Sequence, residues 1–418
     1  MEAASLQKPR LAQLADRVAR PFLVGVLLAA LLAAVWWWPT DPSHALMVAV
    51  AVLVVTCPCA LSLATPVAML TAAGTLARGG VLVRNLQALE ALATVDTVVF
   101  DKTGTLTHDR MAVFGTQVAP GAGLAPEQAL GLAAMLARHS LHPVSRALVA
   151  AAAETEAPGL PWTLDEVHEL PGAGLQARAW QAGQAVILRL GSAAHARVAQ
   201  VEGQQVVLSA ERAGRVAELA RFALSEALRP EAASVVRQLR SAGIDVQLLS
   251  GDRGAAVQGV AARAGIGVAH GDCTPQDKLQ RLQALQASGH RVAMVGDGLN
   301  DGPVLAGAHA SFAFGKAVPL AQSRSDIVVL GDNLAPVAQT LLLARRTLRI
   351  VRQNLWWAAG YNAVGVPLAI AGYMPAWLAG LGMAFSSLLV VMNAARLARI
   401  PGGDAVAISQ PAHSTPMP

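Results

Sequence analysis

Asp101 ends the apolar run "TVVF" and is followed at once by Lys102, Thr103 and Gly104 in "DKTGTLT". A carboxylate in such a place can attack a phosphoryl group, provided that Mg2+ neutralises the oxygen charge and that a cation and a hydroxyl hold the transferring group. The chain carries these groups in three further short stretches: Ser250 and Asp252 in "LLSGD", Lys278 in "TPQDK", and Asp297 and Asp301 in "VGDGLND". Asp101 and Asp297 suit the metal ion, and Lys278 and Ser250 suit the phosphoryl oxygens. Taken singly, a "GD" after a strand is as readily a plain turn.

The elements around these stretches could bring such residues together. Val95 to Phe100 has the β-branched and aromatic make-up of a buried strand, and the same style returns in "IDVQLLSGD" and "RVAMVGDG". Helical patterns lie between them: "RPEAASVVRQLRSAG" and "TPQDKLQRLQALQASG" open at Pro or Thr-Pro and close at Gly. Strand and helix in alternation predict a parallel, doubly wound α/β sheet, which gathers its chemistry at the carboxyl ends of its strands. The span from Thr107 to about Ser225 interrupts this pattern with strands and turns of its own and reads as an inserted domain.

Composition adds a membrane. With 418 residues, 54% of them hydrophobic, and a mean hydropathy of +0.45, part of the chain belongs in lipid. Pro21 to Trp38, His44 to Leu70, Leu355 to Tyr373 and Pro375 to Ala395 are each near the ~20 residues that span a bilayer. Arginines and a lysine crowd the sides away from the short connections "PTDPSH" and "YMP", so both hairpins dip out and return, leaving the termini and the middle of the chain in the cytoplasm. The net charge of +5 is largely this border arginine, which argues against a nucleic-acid partner.

Three cysteines argue against a disulfide framework. Cys57 and Cys59 flank Pro58 inside the second apolar segment, where the proline must locally unwind the helix. Unwinding frees carbonyls and turns thiols toward an interior ion site; soft thiolates suit Cu(I) and also Zn2+. Cys273 stands alone and reads as structural.

In order and spacing, "DKTGTLT", "SGD", "PQDK" and "GDGLND" resemble the phosphorylation domain of P-type ATPases, a branch of the haloacid dehalogenase superfold, and "CPC" resembles the heavy-metal-transporting branch. The resemblance implies that ATP phosphorylates Asp101, with Lys102, Thr103, Ser250, Asp252, Lys278 and Asp301 as its catalytic surroundings and Asp297 on Mg2+. Phosphatases of this superfold place a general acid and base two residues after the nucleophile. Thr103 stands there instead, which would let an aspartyl phosphate live long enough to drive a conformational change. His142 and Pro143 in "SLHPVSRAL", and Gly172 and Gly174 in "LPGAGLQA", resemble the ATP site, the histidine meeting adenine and the glycines letting backbone approach the nucleotide. Leu141 replaces the glutamate that usually precedes the histidine, and Glu226 replaces the usual aspartate at the return hinge.

Tyr361 and Asn362, with Met383 and Ser387, resemble the membrane ligands of Cu(I) transporters, whereas Zn2+ transporters are expected to place Lys and Asp in these helices. The resemblance implies a cytoplasmic lead over 1–20, a membrane hairpin with the CPC site over 21–72, the phosphorylation domain over 73–108 and 226–340, a nucleotide-binding α+β insertion over 109–225, a second membrane hairpin over 341–396 and a flexible tail over 397–418. It further implies a multi-pass protein of the bacterial inner membrane. Membrane lipid, a copper chaperone and an N-terminal transporter portion bearing the actuator domain, which is expected to be missing here, would be its partners. A Zn2+/Cd2+ transporter, a membrane-tethered phosphatase and a copper-binding remnant without transport are the alternatives.

Overall fold

The computed structural model describes residues 10–57, 59–155, 161–181, 183–200, 205–296, 301–314, 323 and 325–398. The chain divides into two compact units. The first comprises Met1–Asp101, Glu231–Gly251 and Gly265–Pro418, and the second Lys102–Pro230 and Asp252–Ala264.

The first unit is built on a seven-stranded sheet. Its strands are β1 (Val81–Val83), β2 (Thr97–Asp101), β9 (Asp245–Leu249), β10 (Val268–His270), β11 (Val292–Val295), β12 (Ala310–Phe314) and β13 (Ile327–Val329), in the order β1-β13-β12-β11-β2-β9-β10. Only the β1–β13 pair is antiparallel. β2 lies between β11 and β9 with all five residues buried, as are all of β11 and β12. This burial explains why these strands read as continuous apolar runs: a parallel sheet covered on both faces has no solvent side to alternate with. Four helices cover it: α4 (Leu86–Ala93), α7 (Ala232–Ser241), α9 (Pro275–Ala287) and α10 (Gly302–Gly307).

Five further helices belong to this unit: α1 (Arg10–Trp37), α2 (Pro42–Val55), α3 (Cys59–Arg78), α11 (Ala335–Ile370) and α12 (Ala376–Ala395). α2 packs on α1, α11 and α12, and α3 packs on α11 and α12. The helix interfaces are lined by Ala30, Ala33, Val48, Ala51, Ala369 and Ala379, while Leu31, Trp36, Trp356, Trp377, Leu381 and Phe385 face outward. Small residues inside and large apolar ones outside reverse the order of a water-soluble bundle and fit packing within lipid. By length and composition, Ala376–Ala398 is the one described helix apolar enough to cross a bilayer, and Val24–Trp37 and Pro42–Val55 are shorter apolar helices. The expectation of four spans of bilayer length is therefore met in full by one. The second segment is divided, since α2 ends at Val55 and α3 begins at Cys59, and α11 mixes its apolar half with a run of arginines.

The second unit is a six-stranded antiparallel sheet. β3 (Thr107–Val118), β4 (Trp162–Leu170), β5 (Gly174–Gln181), β6 (Gln184–Gly191), β7 (Gln205–Arg212) and β8 (Arg215–Leu228) lie in the order β3-β8-β7-β6-β5-β4. α5 (Pro126–Ala137) and α6 (Pro143–Ala153) pack on it around Leu132, Leu136, Leu148, Leu188 and Phe222. α8 (Gly254–Ala264) packs on β8, with the Arg263 guanidinium 5.3 Å from the Phe114 ring centroid.

α11 packs on α4 and α7, and one of its side chains adds hydrogen bonds beside the sheet. Arg345 donates to the Ala242 carbonyl at the end of α7 (2.5 Å) and to the Val95 carbonyl just before β2 (2.8 Å). Hydrogen bonds from a charged donor contribute about 1.5–3 kcal/mol each. Arg345→Gln is expected to lower unfolding free energy by about 2 kcal/mol and to speed amide exchange over 95–101 and 242–249, read by hydrogen–deuterium exchange.

Candidate functional site

The carboxyl end of β2 delivers Asp101, and local sequence delivers its partner. In "TPQDK", Thr274 caps α9: its hydroxyl bonds Asp277 Oδ2 (2.6 Å), the Asp277 N–H returns to Thr274 Oγ (3.2 Å), and Pro275 fills the first turn. The Thr274 hydroxyl and then the Thr274 N–H, both donating to Asp277 Oδ2, hold this carboxyl below the usual range. Lys278 follows on the first turn of α9 and is directed inward. Its Nζ lies 2.5 Å from Asp101 Oδ1 and 2.9 Å from Asp301 Oδ1, and all three residues are buried. A cation near a helix N-terminus opposes the helix dipole, so this placement depends on the two carboxylates. Burial by itself would lower the Lys278 pKa, but Asp101 and then Asp301 outweigh it and raise it well above the ordinary 10.5. The lysine's contribution to stability from its raised pKa is thus fully present below about pH 10.5 and is lost as pH rises through the higher folded value.

Ser250, buried just past β9, donates its N–H to the His270 carbonyl (3.0 Å) and accepts the Cys273 N–H on its own carbonyl (3.0 Å). Cys273 is itself buried, its thiol directed at the Gly271 carbonyl (3.3 Å). Asp297 lies outside the described residues. Asp101 and Asp301 offer hard carboxylate oxygens, the donor chemistry that Mg2+ takes, so the residues present fit that ion.

A second cluster lies within the second unit. Lys102 is buried and pairs with Glu226 (2.9 Å) and with Asp252. Burial pulls its pKa down, but Asp252 and Glu226 carry it above the usual value. Thr107 Oγ lies 2.6 Å from Glu226 Oε2, and Thr103 Oγ is 3.4 Å from Glu226 Oε1. Buried Arg229 donates to the Thr105 carbonyl (2.6 Å) and the Gly104 carbonyl (2.8 Å), clamping a turn in which Gly104 adopts φ +70°. Glu226 stands where an aspartate is expected, and Arg229 carries no motif of its own. Both tie down the turn that follows Asp101, and their only sequence signal is the compact "EALRP".

His142, Gly172 and Gly174 line one cavity of about 200 Å³ in the second unit, together with Ser140 and Glu169. Pro143 opens α6, and His142 caps that helix, its Nδ1 accepting the Val144 N–H (3.3 Å). Gly172 is open, with no atom near a hypothetical Cβ. At Gly174 a Cβ would lie 2.2 Å from the Leu190 carbonyl, so pairing of β5 with β6 already requires this glycine, before any ligand does.

The candidate membrane ligands are spread over three elements. Cys57 is a half-buried free thiol between α2 and α3, while Pro58 and the Cys59 side chain lie outside the described residues. On α11 the Tyr361 hydroxyl is 3.4 Å from the Ala379 carbonyl, and the amide oxygen of Asn362 is buried without a hydrogen-bond partner. On α12, Met383 and Ser387 are half-buried, and the neighbouring Ser386 accepts the Trp357 indole N–H (3.2 Å). Among the described residues no three His, Cys, Asp or Glu side chains gather into a metal-holding group.

The family model of haloacid dehalogenase-like hydrolases matches residues 95–309. A nitrogen fixation protein FixI of Rhizobium leguminosarum bv. viciae is 42% identical over 406 residues, covering 95% of this chain and 51% of that protein. A copper-exporting P-type ATPase of Mycobacterium tuberculosis (strain ATCC 25618 / H37Rv) is 38% identical over 411 residues, 95% of this chain and 52% of that protein. The chain spans about half the length of the curated relatives it matches. A crystal structure of a zinc-transporting PIB-type ATPase in the E2P state is similar with a TM-score of 0.75 and 29% identity, over 93% of this chain and 66% of that one.

Lys278→Met would leave two buried carboxylates without their cation. Breaking a buried pair in this way costs about 3–5 kcal/mol, whereas Asp101→Asn leaves Lys278 paired with Asp301 and is expected to cost clearly less. Denaturant unfolding of the two variants at neutral pH checks the order.

Proposed function

The chain belongs to the haloacid dehalogenase-like hydrolases, as a heavy-metal P-type ATPase, and on that premise we propose that it serves ATP-driven export of Cu(I) through an aspartyl phosphate on Asp101. The observation that carries this reading is a buried carboxylate at the end of an interior strand, held by Lys278, with Thr103 and no carboxylate two residues on.

An oxygen of Asp101 forms a bond to the γ-phosphorus of ATP as the bond to the β-phosphate breaks and ADP departs. Lys278 holds negative charge on the reacting oxygens, and the Ser250 hydroxyl positions the group in transfer. Lys102, fixed by Glu226 and Asp252, holds the turn after the nucleophile. Mg2+, when bound, supplies charge neutralisation at the phosphoryl oxygens, with Asp101 and Asp297 as its holders. Thr103 can neither remove nor deliver a proton as a carboxylate does, so the acyl phosphate is slow to hydrolyse.

Cu(I) as the transported ion is supported by soft and neutral donors, namely Cys57, Cys59, Met383, Tyr361 and Asn362, and by the absence of Lys, Asp or Glu from residues 355–395 of α11 and α12. The buried, unpartnered Asn362 oxygen is an acceptor that has something to gain from a ligand. A Zn2+ or Cd2+ substrate is the second reading, favoured by the likeness to a zinc-transporting structure. Membrane lipid against the exposed Trp and Leu side chains, a copper chaperone and the N-terminal portion of a transporter are the partners on the copper reading, and the bacterial inner membrane is its place.

Incubation with Mg-ATP and Cu(I) is expected to label the unsubstituted chain with acid-stable, hydroxylamine-sensitive phosphate and to leave Asp101→Asn unlabelled. A labelled Asp101→Asn would displace the nucleophile from this residue.

Cu(I) and Ag(I) should raise the steady-state label several-fold more than Zn2+ or Cd2+, and the Cys57→Ser, Cys59→Ser double variant should lose that response. Equal stimulation by Zn2+ would favour the second reading.

A further inference from the structure

We propose that Glu169 is the residue that selects adenine over guanine in the nucleotide cavity of the second unit, an assignment that rests on the ATP reading above. Leu141, the position next to His142, is 91% exposed and has no place among the cavity-lining residues. Glu169, at the end of β4, does line it and is the one carboxylate to do so among the described residues.

Ser140 links this carboxylate to the histidine. Its hydroxyl donates to Glu169 Oε1 (2.7 Å) and its oxygen accepts the His142 N–H (3.1 Å), so one buried side chain holds both residues at the same rim. The His142 ring is set as well: because Nδ1 accepts the Val144 N–H, the neutral ring carries its proton on Nε2. At this rim His142 Nε2–H is a donor and Glu169 Oε2, the carboxylate oxygen that Ser140 does not take, is an acceptor, while the Ser145 and Ser192 hydroxyls elsewhere in the lining can act as either.

A purine presents two groups side by side on its N7 edge. In adenine these are the N7 acceptor and the N6 amine donor; in guanine they are two acceptors, N7 and O6. A donor beside an acceptor matches adenine at both positions. Guanine would set O6 against a carboxylate, which can only accept. The discrimination therefore sits on Glu169, while His142 contributes to both purines alike.

Titration of ATP and GTP into the full chain in lipid nanodiscs, by calorimetry, tests the assignment. The unsubstituted chain should bind ATP about tenfold or more tightly than GTP, the scale of one matched against one mismatched base contact. Glu169→Ala should lose most of that preference, chiefly through weaker ATP binding. In Glu169→Gln, close in shape and able to donate its amide N–H to O6, GTP should gain and the ATP:GTP ratio should fall toward one. An unchanged ratio in both variants, with ATP binding intact, overturns the role of Glu169 alone. No ATP binding by the unsubstituted chain overturns the nucleotide reading and this assignment with it.

Discussion

Two carboxylates facing one ammonium group, all three out of water, form the constraint around which the first unit is arranged. Removing any of these charges from solvent is costly, and only close mutual pairing offsets the cost. The geometry must therefore be held from several directions at once. Asp101 is held by a strand buried between two parallel neighbours, Lys278 by a capped helix start, and Asp301 by the start of α10. The pairing also fixes where one oxygen of Asp101 lies, because Lys278 holds Oδ1 from one side.

The turn after Asp101 is governed by different physics. Backbone carbonyls in a tight turn point inward and need donors, which Arg229 provides at Gly104 and Thr105. Glu226 gathers Lys102 and Thr107 and stands near Thr103. The residues of "DKTGTLT" are thereby divided between chemistry and support: Lys102 and Thr107 are spent on holding the turn, and Gly104 supplies the one backbone conformation that a side chain would resist.

In the helical part, close packing replaces charge. Alanines and small β-branched residues at the interfaces let α1, α2, α11 and α12 approach, and large apolar side chains are turned out. α11 joins this packing to the sheet in one uninterrupted helix of 36 residues, with Arg345 bonded at two sheet-side carbonyls.

Much was legible in the residue pattern itself. Apolar runs ending in Asp or Ser-Gly-Asp announced the strands β2, β9 and β11, Thr-Pro followed by Asp announced the start of α9, and Cys-Pro-Cys announced the break between α2 and α3. These are local signals, because burial on both faces, helix capping and a missing proline N–H act within a few residues. Which groups neutralise one another was not legible. Lys278 meets Asp101 across 177 positions, Glu226 meets Thr107 across 119, and Ser140 meets Glu169 across 29, and nothing in the chain between them marks the pairing. Glycine misled for the same reason: at Gly174 the sequence shows only a missing side chain, and the carbonyl of Leu190 that forbids one belongs to another strand. Residue type and spacing determined what each element is and what chemistry it carries, whereas the partners of every buried charge were decided by tertiary structure, because desolvation is offset only by groups that the fold brings within a few ångströms.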